Sequence, residues 1–579
     1  MSSYGASAED IPWIGVAVVA AVAPFEALRP VLSLPGQSLS SVELVLVMLF
    51  VGWGVVLVRA RALPEWRTAL TSPWLAFLGA SVLAALLAQQ DRSNALHAAG
   101  RLGLAFGVYL VTATGVSRLG RLRRVITACV LGGAVAALIV VLDYGRVPFV
   151  VRLLEVFRVG DAVVGGQIRA SGPFQYPTIA SMYLEIVFAL GLGLLLVAVD
   201  GGSRRRAILL CLILVLVAAA VNFTFTRAGL LTVTGSLVIV AALRYRSAGW
   251  DKGLTALGCV TGAVAVLFAT SRSAEAWQLR LTTEGQDSWY RATVDAPREV
   301  TLPGGSIARF PVRVTNSGRV TWTTSGDPRF YFSHHWLVAD ADQVVAWEAR
   351  RFAFLDAVPP GGSEVIDVEI KAPRRVGRYR VLWDIEQEHR LWFSTEPGAA
   401  RDVTFATVTP PIGPVGLNEP PVTLRALPKS GKRPQRIQLW GAAVRMFASH
   451  PVSGVGPDNF RLRYGEYGSL ATADPRVHSN NMYLEILAGG GLLTLAAFGW
   501  LFWRAALTFG MAAGARDRHV AALGSGVAAA GVAIAVHGLV DSFLTFTATY
   551  TMSAIVLGLA ASAASSIGTH ANRFRRHDP

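Results

Sequence analysis

The chain has 579 residues, of which 53% are hydrophobic and only 16% charged; soluble globular chains carry about 25% charged residues, so most of this one belongs in lipid. Its formal net charge of +15 resembles that of a nucleic-acid binder, but basic residues in a membrane chain report orientation first, and no nucleic-acid partner is expected. Cys129, Cys211 and Cys259 all fall in apolar stretches, which argues against a disulfide framework or cysteine metal site and predicts buried, inert thiols.

A helix needs about 20 apolar residues to cross a bilayer. Windows of that length centre near Val19, Met48, Ala80, Gly107, Leu131, Ala189, Val215, Gly235, Ala263, Gly491, Val532 and Leu557, about twelve in all, with the third and seventh short. The fold class expected is therefore an α-helical polytopic membrane protein. The first apolar run, Ile11 to Leu28, follows an acidic start and lacks a clean small-residue cleavage site, so it reads as a retained span rather than a signal peptide.

Basic clusters mark alternate connections: Arg59, Arg61 and Arg67; Arg118, Arg121, Arg123 and Arg124; Arg204 to Arg206; Arg244, Arg246 and Lys252; Arg504, Arg516 and Arg518; Arg573, Arg575 and Arg576. The positive-inside rule puts these in the cytoplasm together with both termini. Segments 30–40, 89–93, 143–176, 223–227, 271–480 and 542–546 then face outward, and the chemically unusual residues collect there.

Within the longest of these segments, apolar and polar residues alternate from Ala308 to Val314 and from Glu364 to Ile370, with a turn at Asn316-Ser317-Gly318 and further short strands at 379–385 and 391–393. Such spacing predicts an inserted all-β sandwich. The expected organisation is membrane helices over 1–270, a linker over 271–293, the sandwich over 294–408, a linker and amphipathic, catalytic loop over 409–480, and membrane helices over 481–579. A Pro- and Gly-rich stretch, 409–421, separates sandwich from membrane. One internal echo occurs: Met182-Tyr183-Leu184-Glu185-Ile186 returns 300 residues later as Met482-Tyr483-Leu484-Glu485-Ile486, with no longer repeat around it.

Three arginines stand at or near the outward ends of spans, where a solitary cation is costly and usually functional. Arg227 lies in Thr224-Phe225-Thr226-Arg227-Ala228-Gly229, Arg169 opens the run to Pro177, and Arg436 opens an amphipathic stretch ending in Leu439-Trp440. The guanidinium fork matches phosphate oxygens and stays charged at physiological pH. The run His450 to Phe460, with Gly454-Val455-Gly456 and Asp458, is followed by Val477-His478-Ser479-Asn480-Asn481 leading into a helix. A histidine there titrates near neutrality and can take a proton from a sugar hydroxyl. Glu485, seven residues on, falls on the same helix side, able to orient the imidazole or to pair with an arginine.

These motifs resemble those of bacterial O-antigen ligases and the related O-antigen polymerases and oligosaccharyltransferases. The resemblance rests on the Gly454-to-Phe460 loop, on His478-Ser479-Asn480 with Tyr483-Leu484-Glu485 and Gly489-Gly490-Gly491-Leu492, and on the Thr226-Arg227 and Arg169-to-Pro177 segments. It covers about 170–270 and 436–501 and leaves the β insert outside. It implies transfer of a glycan from an undecaprenyl-diphosphate carrier to a lipid, glycan or protein hydroxyl outside the bacterial cytoplasmic membrane, without a metal or other cofactor. His478 would then be the base, and Arg227 and Arg436, with Arg169, would hold the diphosphate. The family's histidine is usually followed directly by asparagine; Ser479 intervenes here, which leaves the acceptor open.

The absence of an acidic pair of the Asp-x-Asp kind on the outward side suits a metal-independent route. A polymerase of the same superfamily would look nearly the same. A multispan transporter should carry ionisable residues or Gly/Pro breaks at mid-membrane in both halves, and a non-catalytic envelope-binding protein would work through its β insert alone. That insert resembles immunoglobulin-like or fibronectin-like modules in Asn316-Ser317-Gly318, His334-His335-Trp336 and Gly377-Arg378-Tyr379. Trp322, Trp336, Trp347, Trp383 and Trp392 are expected mostly to pack internally. His334, His335 and His389 have the spacing of no common metal site.

Overall fold

The computed structural model describes residues 10–34, 37–61, 66–164, 167–270, 274–282, 289–325, 329–340, 343–346, 350–388, 391–396, 401–411, 425–426, 434–469 and 473–574. The chain divides into two compact units: Met1–Ala162, Arg169–Arg272 and Gln435–Pro579 in one, Val163–Ile168 and Ser273–Pro434 in the other.

Helices run in the order α1 (Ile11–Val22), α2 (Ser41–Ala60), α3 (Thr71–Leu87), α4 (Arg92–Gly115), α5 (Leu119–Tyr144), α6 (Pro148–Leu154), α7 (Pro177–Asp200), α8 (Arg204–Phe223), α9 (Arg227–Ala248), α10 (Lys252–Thr270), α11 (Ala274–Thr282), α12 (Arg436–Ser449), α13 (Phe460–Gly468), α14 (Met482–Ala513), α15 (Arg518–His537) and α16 (Thr547–Phe574). Every hydrophobic window centre falls inside one of them. Among the described residues ten helices are long and apolar enough to cross a membrane, while α1 and α3 are shorter. The seventh window, expected to be short, is the 20-residue α8. The first is the short one, because Pro24 interrupts the apolar run just after α1 and proline cannot continue a helix.

The helix α7 is apolar all round, and 94% of its hydrophobic window is buried, as expected of a central helix. At its C-terminal end Asp200 accepts from Arg244 Nη1 at 3.0 Å, while Arg518 of α15 reaches Asp251 at 2.9 Å. These ion pairs tie the ends of α7, α9, α10 and α15 together. At the other end, Asp143 closes α5 onto the following segment, pairing with the buried Arg158 at 2.7 Å and accepting from the Ser171 and Gly172 amides. Of the cysteines, Cys129 is buried, Cys211 half-buried and Cys259 exposed, so full burial within protein holds for the first alone; Cys259 faces outward while its neighbours Leu257 and Val260 are buried.

Two glycines explain the motif around 454 and 491. The helix α14 breaks at Gly491, whose backbone has φ +64°, and Gly454 has φ +62°; both angles are open to glycine and costly for other residues. The break releases carbonyls of α14, and the loop supplies donors: Val455 N donates to Ala488 O at 2.9 Å and Gly456 N to Gly489 O at 2.8 Å, while Leu492 N returns a bond to Pro451 O at 2.9 Å. Leu439, Ala442, Ala443 and Met446, one face of α12, then pack on Val455, Phe460, Tyr464 and Ala488. The stretch after Arg436 is thus the amphipathic helix its periodicity predicts.

In the second unit, the two alternating runs read from the sequence are antiparallel partners, with Ala308 opposite Ile370 and Val314 opposite Glu364. They form a three-stranded sheet with Ala292–Asp295. An eight-stranded sheet is built around Gly377–Gln387, which pairs antiparallel with Phe330–Val338 and with Val403–Thr409. The Phe310 ring meets Trp383 edge-on at 6.0 Å, joining the two sheets. Trp322, Trp336 and Trp383 are buried against Phe354, Tyr379 and Phe332, and Trp392 meets His335 edge-on at 4.7 Å. Burial pushes the His334 pKa down to about 4, with the neighbouring His335 adding to the shift. His335 Nε2 bonds Asp384 at 3.0 Å, and consecutive strand residues point to opposite faces, so the two histidines share no metal. Trp347, His389 and most of the expected 409–421 linker lie outside the described residues.

A Cβ at position 491 would stand 2.4 Å from the Val452 backbone. Gly491→Ala should therefore undock the loop, costing about 1–3 kcal/mol for the backbone angle alone. Thermal unfolding in detergent measures this, with Gly499→Ala, where a Cβ meets nothing within 4 Å, as the neutral control.

Candidate functional site

The site is built on the start of α14. Asn481 caps that helix, its side chain accepting from Leu484 N at 3.0 Å, so His478 lies in the loop and Glu485 in the first turn, where a helix N-terminus favours a carboxylate. His478 Nδ1 lies 3.2 Å from Glu485 Oε1, and the Ser479 amide and hydroxyl donate to Oε2 at 2.9 and 2.5 Å. The carboxylate thereby fixes one ring nitrogen and leaves Nε2 available. The two side chains are 13% and 10% exposed. Burial alone would lower the His478 pKa, but the hydrogen bond and charge of Glu485, reinforced by Asp458, outweigh it and hold the pKa above 6.5.

The helix α12 is tied to this loop by Trp440 Nε1, which donates to Ser479 O at 3.1 Å. Arg436 opens α12 and Arg227 opens α9, and the two are close enough to repel. Arg436 reaches the surface, yet withdrawal from water holds its pKa below the usual guanidinium value, opposed by Asp541 and assisted by the like charge of Arg227; both facts suit a side chain in a recess. Among the described residues neither arginine has a hydrogen-bond or ion-pair partner. Two like charges held together, with only Asp541 nearby to offset them and no direct ion pair among the described residues, make a receptive place for an anion. Arg169 is differently employed. Its Nε donates to Thr224 O at 3.0 Å and its Nη2 to Thr226 at 3.4 Å, bracing the turn ahead of Arg227.

The sequence left two groups without a role. Asp458, inside the glycine loop, carries ion pairs from Arg101 of α4 at 2.9 Å and Arg461 at 3.2 Å. It presents an oxygen within 4.8 Å of ligand atoms of His478 and Glu485. The other is a second imidazole–carboxylate pair: His537 Nδ1 meets Glu185 Oε2 at 2.8 Å, and Thr232 donates to the same oxygen at 2.6 Å. Both residues are essentially fully buried, and His537 interacts electrostatically with Asp541 and Arg436. The echo in the sequence was the available signal: each of its glutamates binds a histidine through Nδ1, and each tyrosine donates to a backbone carbonyl, Tyr183 to Ala20 and Tyr483 to Ala535.

Asp458, His478 and Glu485 have the residue types of a metal site. Asp458 Oδ2 is already engaged by Arg101 and Arg461, and Glu485 Oε2 by Ser479, so a divalent ion would compete with fixed cations and donors for these oxygens. Ser81, Arg101, Asp458, Glu485, Ser542 and Thr545 supply the polar groups of a pocket whose remaining lining is largely apolar. Phe77, Met482 and Leu544 are shared with an apolar cavity of about 320 Å³ running between α3, α14, α15 and α16.

Removing one partner of a buried pair leaves an uncompensated polar or charged group, at about 3–5 kcal/mol. Glu185→Ala should therefore lower the thermal unfolding temperature markedly, and Glu185→Gln, which keeps a hydrogen-bonding oxygen for His537, should recover part of the loss.

The sequence model of the family described as O-Antigen ligase matches residues 423–499, the stretch that holds α12, the glycine loop, α13, His478 and Glu485. No curated protein matches the chain. That match lies over the assembled loop and the start of α14, so the chain is similar to the O-antigen ligase family over this segment.

Proposed function

We propose that the protein is a glycosyltransferase of the O-antigen ligase kind, moving a glycan from an undecaprenyl-diphosphate carrier to an acceptor hydroxyl on the outer face of the bacterial cytoplasmic membrane, without a metal. The observation that carries this reading is a half-buried imidazole oriented by a carboxylate at the same bundle end as two neighbouring guanidinium groups that have no ion pair among the described residues. The β unit is read as an accessory module of immunoglobulin-like build on that outer side.

In this reading His478 Nε2 removes the proton of the acceptor hydroxyl as its oxygen attacks the anomeric carbon. The bond from that carbon to the diphosphate oxygen breaks, and the electron pair leaves with the diphosphate. Arg227 and Arg436 face the charge that grows there, where preorganised cations lower the barrier most. Glu485 keeps the ring in the tautomer with Nε2 free and stabilises the imidazolium. A single displacement of this kind inverts the anomeric configuration.

A transporter is less well supported. Its ionisable residues should lie at mid-membrane in both halves, whereas Glu185 lies in the N-terminal half of the 24-residue α7 and its partner His537 ends α15 and interacts with Arg436.

The test is turnover of purified protein in lipid nanodiscs with a polyprenyl-diphosphate glycan and candidate acceptors. His478→Ala should lose about 10²–10⁴-fold, the span of general acid–base catalysis, and Arg227→Ala should be comparably impaired, while a chelator leaves the wild type unchanged. Equal turnover in all three proteins would sink the proposal. The pH profile gives a second check. A base works unprotonated, and the His478 pKa is held above 6.5, so the rate should climb with pH through that raised value. Glu485→Gln removes the charge that raises it, so the climb should begin at lower pH and reach a lower plateau.

A further inference from the structure

The glycine loop holds a carboxylate that the proposed reaction has not used. Asp458 adopts φ +63°, a left-handed backbone that costs a non-glycine residue about 1 kcal/mol or more and persists where the surroundings enforce it. The surroundings do enforce it here. Arg101 Nη2 and Arg461 Nε both donate to Oδ2, at 2.9 and 3.2 Å. Each arginine is itself anchored: Arg461 Nη2 donates to Asn94 at 2.6 Å and Nη1 to Pro475 O at 3.2 Å, and Arg101 Nη1 reaches Thr545 O at 3.5 Å. Asn94 in turn donates to Asn459 at 3.0 Å.

Both cations converge on one oxygen. Among the described residues Oδ1 of Asp458 accepts no hydrogen bond, although the side chain is only 9% exposed and lines the pocket shared with Glu485, Ser542 and Thr545. A carboxylate accepts at both oxygens, and a half-satisfied one facing a pocket beside the proposed base calls for a donor from outside the protein. The hydroxyl that His478 deprotonates must lie at the imidazole, within a few ångströms of Asp458. A hydroxyl on the adjacent carbon of the same ring would stand about 3 Å from the first, so a sugar bound at His478 brings a second donor to the side on which Asp458 lies.

We infer that Asp458, clamped by Arg101 and Arg461, is the acceptor-orienting residue of the site, taking a hydrogen bond from a second hydroxyl next to the one that reacts. This rests on the reading of His478 as the base, and it narrows the acceptor to one with neighbouring hydroxyls, a saccharide rather than a serine or threonine side chain. Arg101 and Arg461 are positioning residues, and Ser542 and Thr545 line the same pocket.

The experiment uses the full chain in nanodiscs, a polyprenyl-diphosphate glycan as donor, and as acceptors a panel of decyl glycosides (glucoside, galactoside, mannoside, rhamnoside and N-acetylglucosaminide) beside decanol and a serine peptide. For the glycoside used best, Asp458→Asn should raise the acceptor KM about tenfold or more, the usual worth of a hydrogen bond to a charged group, and leave the donor KM within about twofold. The monodeoxy analogue lacking the neighbouring hydroxyl should lose the same factor with the wild type and nothing further with Asp458→Asn. That last comparison separates acceptor contact from a merely structural role, and the wild-type half of it stands even where the variant folds poorly. Wild-type turnover indifferent to every monodeoxy change, preference for decanol or the peptide, or equal loss on both glycosides would overturn the inference. Full turnover in His478→Ala would instead overturn the base reading and this inference with it.

Discussion

A helix that stops bonding to itself inside a membrane must find another donor for the carbonyls it frees, because lipid offers none. The helix α14 does this at Gly491, and the donors are the amides of Val455 and Gly456. That exchange docks the 451–459 loop on the start of α14. The docked loop carries Asp458 to His478 and Glu485, gives α13 its starting point, and provides the apolar surface against which α12 packs. Arg436 opens α12, so its place also depends on that surface. One backbone repair thus assembles groups spread over some fifty residues of sequence, the same stretch that matches the O-antigen ligase family.

The electrostatics at this end of the bundle are divided between compensated and uncompensated charge. Arg158 is matched by Asp143, Arg101 and Arg461 by Asp458, and Arg244 and Arg518 at the opposite end by Asp200 and Asp251. Arg227 and Arg436 are not matched in this way. Stability gives no reason to hold two guanidinium groups together unpaired, and an anionic ligand does. The two imidazole–carboxylate pairs differ in the same sense. His537 with Glu185 is enclosed and serves the packing of α7, α9 and α15, while His478 and Glu485 are each partly exposed and Glu485 lines the pocket beside Asp458.

The helical architecture was legible because bilayer thickness imposes a length and composition that a hydropathy window reads directly. The error fell on α1, where Pro24 cut a run that hydropathy alone counted as whole. The strand pairing of 308–314 with 364–370 was implicit in their shared alternation. The His478–Glu485 bond was legible too, since a seven-residue spacing across a helix start is local geometry. Long-range pairing was not. Nothing local says that Asp458 finds Arg101 of α4, or that Glu185 finds His537 some 350 residues away. The echo of Met182–Ile186 in Met482–Ile486 marked both glutamates, but the histidine partners stand on opposite sides of their motifs, before one and far after the other, so no longer repeat betrayed them. Arg169 shows the converse: its flanks announced an anion ligand, while the fold employs its donors on Thr224 and Thr226.

The proposed reaction divides the labour, with guanidinium groups holding the carrier diphosphate and an imidazole acting on the acceptor. Equilibrium binding of a polyprenyl diphosphate to nanodisc-embedded protein tests it without turnover. The account predicts affinity lowered about tenfold or more in Arg227→Ala and Arg436→Ala, as for loss of a charge-assisted contact, and unchanged in His478→Ala. Undiminished binding in both arginine variants, or a loss in His478→Ala as large as theirs, would contradict it.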